Sequence, residues 1–508
     1  MTANNSSREL YLGVVLTYVT TFVSLGASLV FTPIIIRLLG QSEYGLYETM
    51  GSFVAYLAVL DFGFGAVVTR YTARYQNAGD VLTRDKFLYT CRNIYLLLCI
   101  LILMLGGILY TFIDKLFGKS FTSVELHKAH IVFLIVLGCT VMSIFSQVYK
   151  GCLNGVEKFV WPKAVQLVKV ILTKLVAIAI LFMGGDSIGY TAVLLAFETI
   201  SCLCLMWMAH QKVRFVRNRM PRRQLMELFT FTSYLFVLAI VSQLYWQIDK
   251  LLLGMMVGTV TVAVYAAAMN IQNILRNVSS SLKEVLIPKA ARISEDDPNR
   301  PVLLTDFMIR CGRVIFMVYG FILVGLTCLG HKFILLWLGE EYLPAVPVLM
   351  VLGYSTWLPT TLIPGEEVCK TYNKHGPLTM LYLVIALLNV VLTVVMVRQM
   401  GMMGAALSTA LGVLVGNVAV ALIYYRRTFH ISIRKLLVGL LHKSLTSLAV
   451  VALIGYGINI FLPQASWLVL FLQGMMLVGA FAVVMSLYGL NDYERQLVRR
   501  LISSFSKR

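Results

Sequence analysis

Charge is what this chain has least of: Asp, Glu, Lys and Arg make up 13% of its 508 residues, against 59% hydrophobic ones. Soluble domains carry about a quarter charged residues, so a water-solvated globular fold is excluded. Catalytic signatures are missing too. No H-E-x-x-H or Cys/His metal spacing occurs, and the seven histidines (His127, His130, His210, His331, His375, His430 and His442) fall in connecting segments or at helix ends. His127 and His130, three apart, read as a solvated helix start. There is no G-x-x-x-x-G-K-[ST] loop to hold a nucleotide phosphate. The nine cysteines include no C-x-x-C pair, which predicts buried thiols and no disulfide frame. Nor is there room for a soluble domain: the longest segments between apolar runs are about 283–306, with the polar "ARISEDDPNRP", and about 114–128. The acidic "SEDD" at 294–297 has nothing beside it to suggest a metal site. The chain is therefore not expected to be an enzyme or to use a cofactor.

What is present is a series of apolar runs, each long enough to cross a hydrocarbon layer of about 30 Å at 1.5 Å per residue. They predict membrane helices at roughly 11–36, 48–68, 89–113, 129–150, 160–183, 188–209 and 228–253, then 258–282, 307–330, 344–365, 377–398, 402–424, 443–462 and 466–488. This is an all-α polytopic membrane protein of about fourteen helices; barrel strands would alternate over short segments instead. The net charge of +19 does not indicate nucleic acid, because Lys and Arg gather on alternate connections. The opposite side holds only Arg37, Lys115, Lys119, Lys128, Lys332 and Arg398. By the positive-inside rule both termini are expected in the cytoplasm. The first run is too long for a signal-peptide core and lacks an A-x-A exit, so it is expected to remain as an anchor.

A weak internal repeat is visible. "LLGQSEYGLYETM" (38–50) lies without gaps on "MVGTVTVAVYAAA" (256–268), which superposes Gly40 on Gly258 and Tyr47 on Tyr265. The same shift pairs Ala73 and Arg74 with Ala291 and Arg292. It carries the first two spans onto the seventh and eighth, implying two pseudo-symmetric six-helix bundles of like orientation. The expected organisation is one bundle over 1–220, a second over 221–430, two added helices over 431–490 and a cytoplasmic tail over 491–508. In that tail Tyr493, Leu497, Leu501 and Phe505 recur every four residues away from Arg495, Arg499 and Arg500, the pattern of an interfacial helix on an anionic leaflet.

Charges inside the spans demand a separate account. A charged side chain at a helix centre costs about 2.5–3.5 kcal/mol on insertion scales. Asp61, Lys169, Lys174, Glu198, Asp249, Lys250 and Arg276 facing lipid would together cost about 20 kcal/mol, above the net stability of a typical protein. They must mostly face a wet cavity or one another. Helical spacing gives three polar stripes: Gln166, Lys169 and Thr173; Gln243, Gln247 and Lys250; and Asn270, Asn273, Asn277 and Ser280 beside Arg276. Blander readings stand beside these. Lys169, some 9 Å inside its span, can snorkel to the interface, whereas Lys174 at about 16 Å cannot easily do so. Asp249 and Lys250 can neutralise each other, Glu198 can serve a neighbouring cation, and Asp61 can support the turn in "LDFGFGA". Arg276 is the strongest single candidate, because Arg grips phosphate in a planar fork and cannot shed its proton when buried. Together the basic residues are expected to line a cationic chamber between two bundles, suited to anionic cargo.

The stretch "FTPIIIRLLGQSEYGLYETMGSFVAYLAVLDFGFGAVVTRYTARY" (31–75) resembles the opening of the polysaccharide flippases, the Wzx-like branch of the multidrug/oligosaccharidyl-lipid/polysaccharide (MOP) exporter superfamily. The likeness rests on Pro33, Arg37 to Gly40, Tyr44 to Tyr47, Asp61 to Gly63, and Arg70 with Tyr71; "IDKLLLG" (248–254), Tyr265 and Pro288 continue it in the second half. The resemblance implies a V-shaped pair of bundles in a bacterial cytoplasmic membrane, working by alternating access. Its implied cargo is an undecaprenyl-pyrophosphate-linked oligosaccharide, moved from the inner to the outer leaflet for O-antigen, capsule or exopolysaccharide. Membrane lipids, a polysaccharide polymerase and assembly proteins are the implied partners, with no nucleic acid.

On this reading the substrate chamber comprises Arg276, Lys174, Lys169, Lys250, Arg37, Asn273, Asn277, Gln166 and Gln247. Arg37 and Arg276 match, by helix only, basic residues of relatives that flip the lipid-linked peptidoglycan precursor. Asp61, Glu198 and Asp249 are the carboxylates available for proton or sodium coupling, and Gly26 and Pro33 would let the first helix bend. The main rival is a multidrug cation antiporter of the same superfamily, against which the basic residues argue. A membrane-embedded sugar transferase lacks its outer domain here, and a non-transporting organiser of polysaccharide assembly is a third reading.

Overall fold

The computed structural model describes residues 2–61, 63–217, 236–280, 293, 297–491 and 494–496. Expected features at 218–235, 281–292 and 294–296, Pro288 and the first three residues of the "SEDD" run among them, lie outside these residues, as does most of the amphipathic tail, including Tyr493, Leu497, Leu501 and Phe505. Among the described residues the regular structure is all helical. Among the described residues ten helices are long and apolar enough to cross a membrane, or twelve if each of two bent pairs counts as one span. The fourteen expected differ from this count in two places. Val15–Asn77 forms one 63-residue run, roughly three hydrocarbon thicknesses at 1.5 Å per residue, and it is broken inside. Thr259–Ser280 is helical but carries Asn270, Gln272, Asn273, Arg276 and Asn277, which dilute its apolar character.

The chain forms two compact units, Met1–Ala266 and Ala267–Arg508. The first contains α1 (Thr2–Ala58), α2 (Phe64–Asn77), α3 (Val81–Thr111), α4 (Ile113–Phe117), α5 (Ser123–Gly155), α6 (Val160–Phe182) and α7 (Ser187–Lys212). It also holds α8 (Phe236–Trp246), α9 (Ile248–Met256) and the start of α10 (Thr259–Ser280). α1 passes through Gly26 and Pro33 and breaks at Gly40, whose φ of 76° is left-handed. Gly258, its partner in the internal repeat, also has positive φ, 125°, and opens α10. Glycine is the residue that enters this region without a Cβ penalty, so both copies of the repeat place a glycine break directly before a helix. The two copies also meet. A Cβ on Gly45 would sit 1.8 Å from the Thr259 carbonyl oxygen, so only glycine permits this backbone approach.

The second span is itself discontinuous. A 3₁₀ turn at Val59–Asp61 leads to Gly63, in left-handed conformation (φ 65°), which starts α2. Close packing of α2 on α5 depends on Gly151, where a Cβ would lie 2.9 Å from the Val68 side chain and 3.0 Å from the Gly65 carbonyl.

The second unit contains the rest of α10, α11 (Arg300–Trp337), α12 (Ala345–Thr361), α13 (Ile363–Thr371), α14 (His375–Met400) and α15 (Met402–Phe429). It ends with α16 (Ile433–Leu441), α17 (Ser444–Phe461) and α18 (Trp467–Val484). α12 and α13 meet at 41° beside Pro359 and Pro364, each of which removes a backbone donor. The added helices are fastened by Arg313 of α11. Its guanidinium donates to both Glu494 oxygens (2.8 and 3.2 Å) and to the carbonyls of Gly439, His442 and Gly489 (3.1, 2.8 and 3.0 Å). Arg313 and Glu494 are 4% and 3% exposed, so the pair is tenable only because every donor is used.

Candidate functional site

Three span charges of the first unit, Lys169, Glu198 and Lys250, are neutralised across helices. Lys169 on α6 pairs with Glu198 on α7 at 2.8 Å, which makes Glu198 the servant of a neighbouring cation. Lys250 on α9 pairs at 3.0 Å with Glu48, not with its neighbour Asp249. Asp249 is buried and accepts from the Tyr265 hydroxyl at 2.5 Å. Gln247 sits between α8 and α9, where the axes turn by 44°, and its Oε1 accepts from Ser52 at 3.3 Å. Lys174 is half-buried and pairs with no carboxylate among the described residues. Arg37 is exposed on α1.

At one end of this unit the starts of several helices are tied together. Lys128 bridges Glu43 (2.6 Å) and Asp186 (3.0 Å), and Ser187 donates to Glu43 through Oγ and its amide. Glu125 accepts from Ser42 and Thr259 and closes a capping box with Thr122. Desolvation opposes ionisation of Asp186, but Lys128 and the Gly189 and Ile188 amides outweigh it and hold the carboxyl below its usual range.

The first unit also contains a cavity of about 380 Å³ at the break in the second span. Asp61, Gln147, Lys150, Asn154, Lys163 and Gln166 line it. Of these only Asp61 and Gln166 are expected site residues, and Gln166 is separated in role from Lys169, which turns to Glu198. Gln147, Lys150 and Asn154 escape notice because they straddle the predicted end of a span. Their spacing of i, i+3 and i+7 is nonetheless the same stripe rule that marks α6. Asp61 Oδ1 is buried without a hydrogen-bond partner; the Tyr95 hydroxyl beside it falls short of bonding geometry.

In the second unit Arg276 is half-buried on α10, within electrostatic reach of Tyr319. Tyr319 shares a buried network with Gln272 and Thr356: Gln272 Nε2 donates to Tyr319 at 3.1 Å and to Thr356 at 2.5 Å, and the two hydroxyls are 2.8 Å apart. Asn273 and Asn277 are exposed on the same helix. No group of three or more metal-ligating side chains occurs among the described residues.

Two units of apolar helices, several of them broken, with polar side chains grouped inside the spans define a multi-pass helical membrane protein. Solved structures agree: the lipid II flippase MurJ in an inward closed conformation superposes with a TM-score of 0.72 at 17% identity, covering 96% of this chain and 100% of that one. An inward-facing multidrug resistance MATE transporter of the MOP superfamily gives 0.65 at 15% identity, over 80% and 98%. The family model described as polysaccharide biosynthesis protein matches residues 11–294, and the chain belongs to that family. A Shigella flexneri protein named as a candidate O-antigen transporter is 22% identical over 406 residues, 77% of this chain and 91% of its own. These relatives are named as a transporter and a flippase.

Proposed function

We propose that the protein translocates an undecaprenyl-pyrophosphate-linked oligosaccharide from the inner to the outer leaflet of a bacterial cytoplasmic membrane by alternating access, with both termini cytoplasmic. The observation that carries this reading is Lys174, half-buried on a membrane helix of a polysaccharide-biosynthesis family member and paired with no carboxylate among the described residues. A diphosphate supplies the countercharge that makes such a position affordable. Asn273 and Asn277, exposed beside Arg276, and Gln247 offer hydrogen bonds to the head group, and the polyprenyl tail stays in lipid. Lys169 and Lys250 act through their pairs with Glu198 and Glu48. Protonation of Glu198 would release Lys169 to the cargo, making this pair the place where a proton gradient enters; Lys150, Cys139 and Cys202 also face Glu198. Asp249, held by Tyr265, and Asp61 are the other carboxylates available for coupling. A polymerase and assembly proteins would act on the delivered product.

Arg276→Ala and Lys174→Ala should each abolish surface polysaccharide while leaving expression and thermal stability intact. In reconstituted vesicles the wild-type protein should bind a pyrophosphate-linked glycolipid better than its neutral analogue, with binding weakened by salt. Normal polysaccharide from both variants, or equal affinity for the two lipids, would reject the reading. Export of organic cations without glycolipid transport would favour the multidrug antiporter instead.

A further inference from the structure

The cavity at the break of the second span has a composition unlike that of a phosphate site. Asp61 brings a carboxylate; Lys150 and Lys163 bring ammonium groups; Gln147, Asn154 and Gln166 bring amides, each both donor and acceptor. A diphosphate is an acceptor of high negative charge, and a carboxylate in the same small space opposes it at close range. A hydroxyl both donates and accepts, so a ring bearing several of them can use Asp61 and the amide oxygens as acceptors while lysines and amide nitrogens donate. At about 380 Å³ the space is at the lower end for ligand pockets and suits roughly one or two sugar rings.

The backbone explains why the cavity exists. The 3₁₀ turn at Val59–Asp61 and the left-handed Gly63 interrupt the span, which opens room beside α5. Glycine packing at Gly65 and Gly151 then brings α2 against the stretch of α5 that carries Gln147 and Lys150. Among the described residues none of the Lys150, Lys163, Gln147, Asn154 and Gln166 side chains is engaged in a hydrogen bond or ion pair. Polar groups left open in a membrane helix mark a ligand or a water path.

We infer that this cavity is a recognition site for a neutral, hydroxyl-rich sugar unit of the transported glycolipid, separate from the cations that hold its diphosphate. The inference rests on the transport reading above and deepens it. The first unit reads the sugar through Asp61, Gln147, Lys150 and Asn154.

The test uses the full-length protein in lipid nanodiscs and two separate probes: free oligosaccharide released by mild acid from the host's lipid-linked pool, and inorganic pyrophosphate. Binding is read by saturation-transfer NMR and by calorimetry. Gln147→Ala and Asn154→Ala should each weaken oligosaccharide binding by about tenfold, the effect of one lost hydrogen bond at about 1.4 kcal/mol, with pyrophosphate binding unchanged. Arg276→Ala should do the reverse. Thermal melting verifies that each variant is folded, and Ala66→Leu, at the exposed rim of the cavity, provides a second block. Oligosaccharide binding within twofold of wild type in all three cavity variants would overturn the inference. So would a wild-type protein that flips the glycolipid yet does not bind the free sugar, an outcome that leaves the transport reading standing. Sugar binding lost in the variants, from a protein that flips nothing, would support the site and sink the transport reading alone.

Discussion

The two units handle buried charge differently. In the first, cations on one helix meet carboxylates on another: Lys169 with Glu198, Lys250 with Glu48, and Lys128 with Glu43 and Asp186. In the second, Arg276 sits near a hydroxyl and amide network, and Arg313 divides its donors between one carboxylate and three backbone carbonyls. An ion pair can be opened by a single proton or by a competing anion. A guanidinium fixed by backbone dipoles cannot, because the carbonyls do not titrate. The first arrangement suits groups that exchange partners during transport, and the second suits a permanent fastening.

Breaking the fastening should have the largest effect. Arg313→Ala leaves Glu494 buried and uncompensated and should destabilise the protein by about 3–5 kcal/mol, seen as a fall in thermal stability in detergent micelles. The double change Arg313→Met with Glu494→Leu should be milder, since it removes both charges. A single variant as stable as wild type would show that the network holds nothing together.

A smaller effect is expected in the first unit. A double-mutant cycle with Lys169→Met and Glu198→Gln should give a coupling energy of about 0.5–3 kcal/mol, below the Arg313 loss because both side chains are partly exposed, 24% and 15%. Transport by Glu198→Gln should lose its dependence on the proton gradient while glycolipid binding persists. Additive single mutants, or gradient dependence retained, would remove the reason to call the pair exchangeable.

The smallest effect concerns the helix starts joined by Lys128. The Asp186 carboxyl is held below its ordinary range, so it binds fewer protons folded than unfolded near its unfolded pKa. Its stabilisation is complete above an unfolded value of about 3.9 and is lost only as pH falls through the lowered folded value. Thermal stability attributable to Asp186, taken as the difference from Asp186→Asn, should therefore be flat between pH 6 and 8 and shrink only in acid. A difference that changes across neutrality would contradict the assignment.

Much of the helical plan was legible because hydropathy and helix length are local properties. The repeat was legible for a related reason: Gly40 and Gly258 occupy equivalent positions where the backbone turns left-handed, and few residues other than glycine serve there. The charged residues were legible as a set but not as partners. Lys250 stands beside Asp249 in the chain yet pairs with Glu48, because adjacent helical residues point to different sides. Lys169 could be read as a snorkelling residue from its depth alone; only the position of α7 puts Glu198 within 2.8 Å of it. Lys150, Gln147 and Asn154 stood at a span end, where polar residues attract no notice, until the break at Asp61 to Gly63 placed a cavity beside them.

The amino-acid order by itself determined that the chain lives in a membrane, that it is helical and that it repeats. These follow from composition and periodicity, which act residue by residue along the helix. Tertiary structure alone decided which cations are neutralised, which are left available, and where an open polar space remains. Electrostatic energy falls off with distance in three dimensions, and only the packing of helices sets those distances.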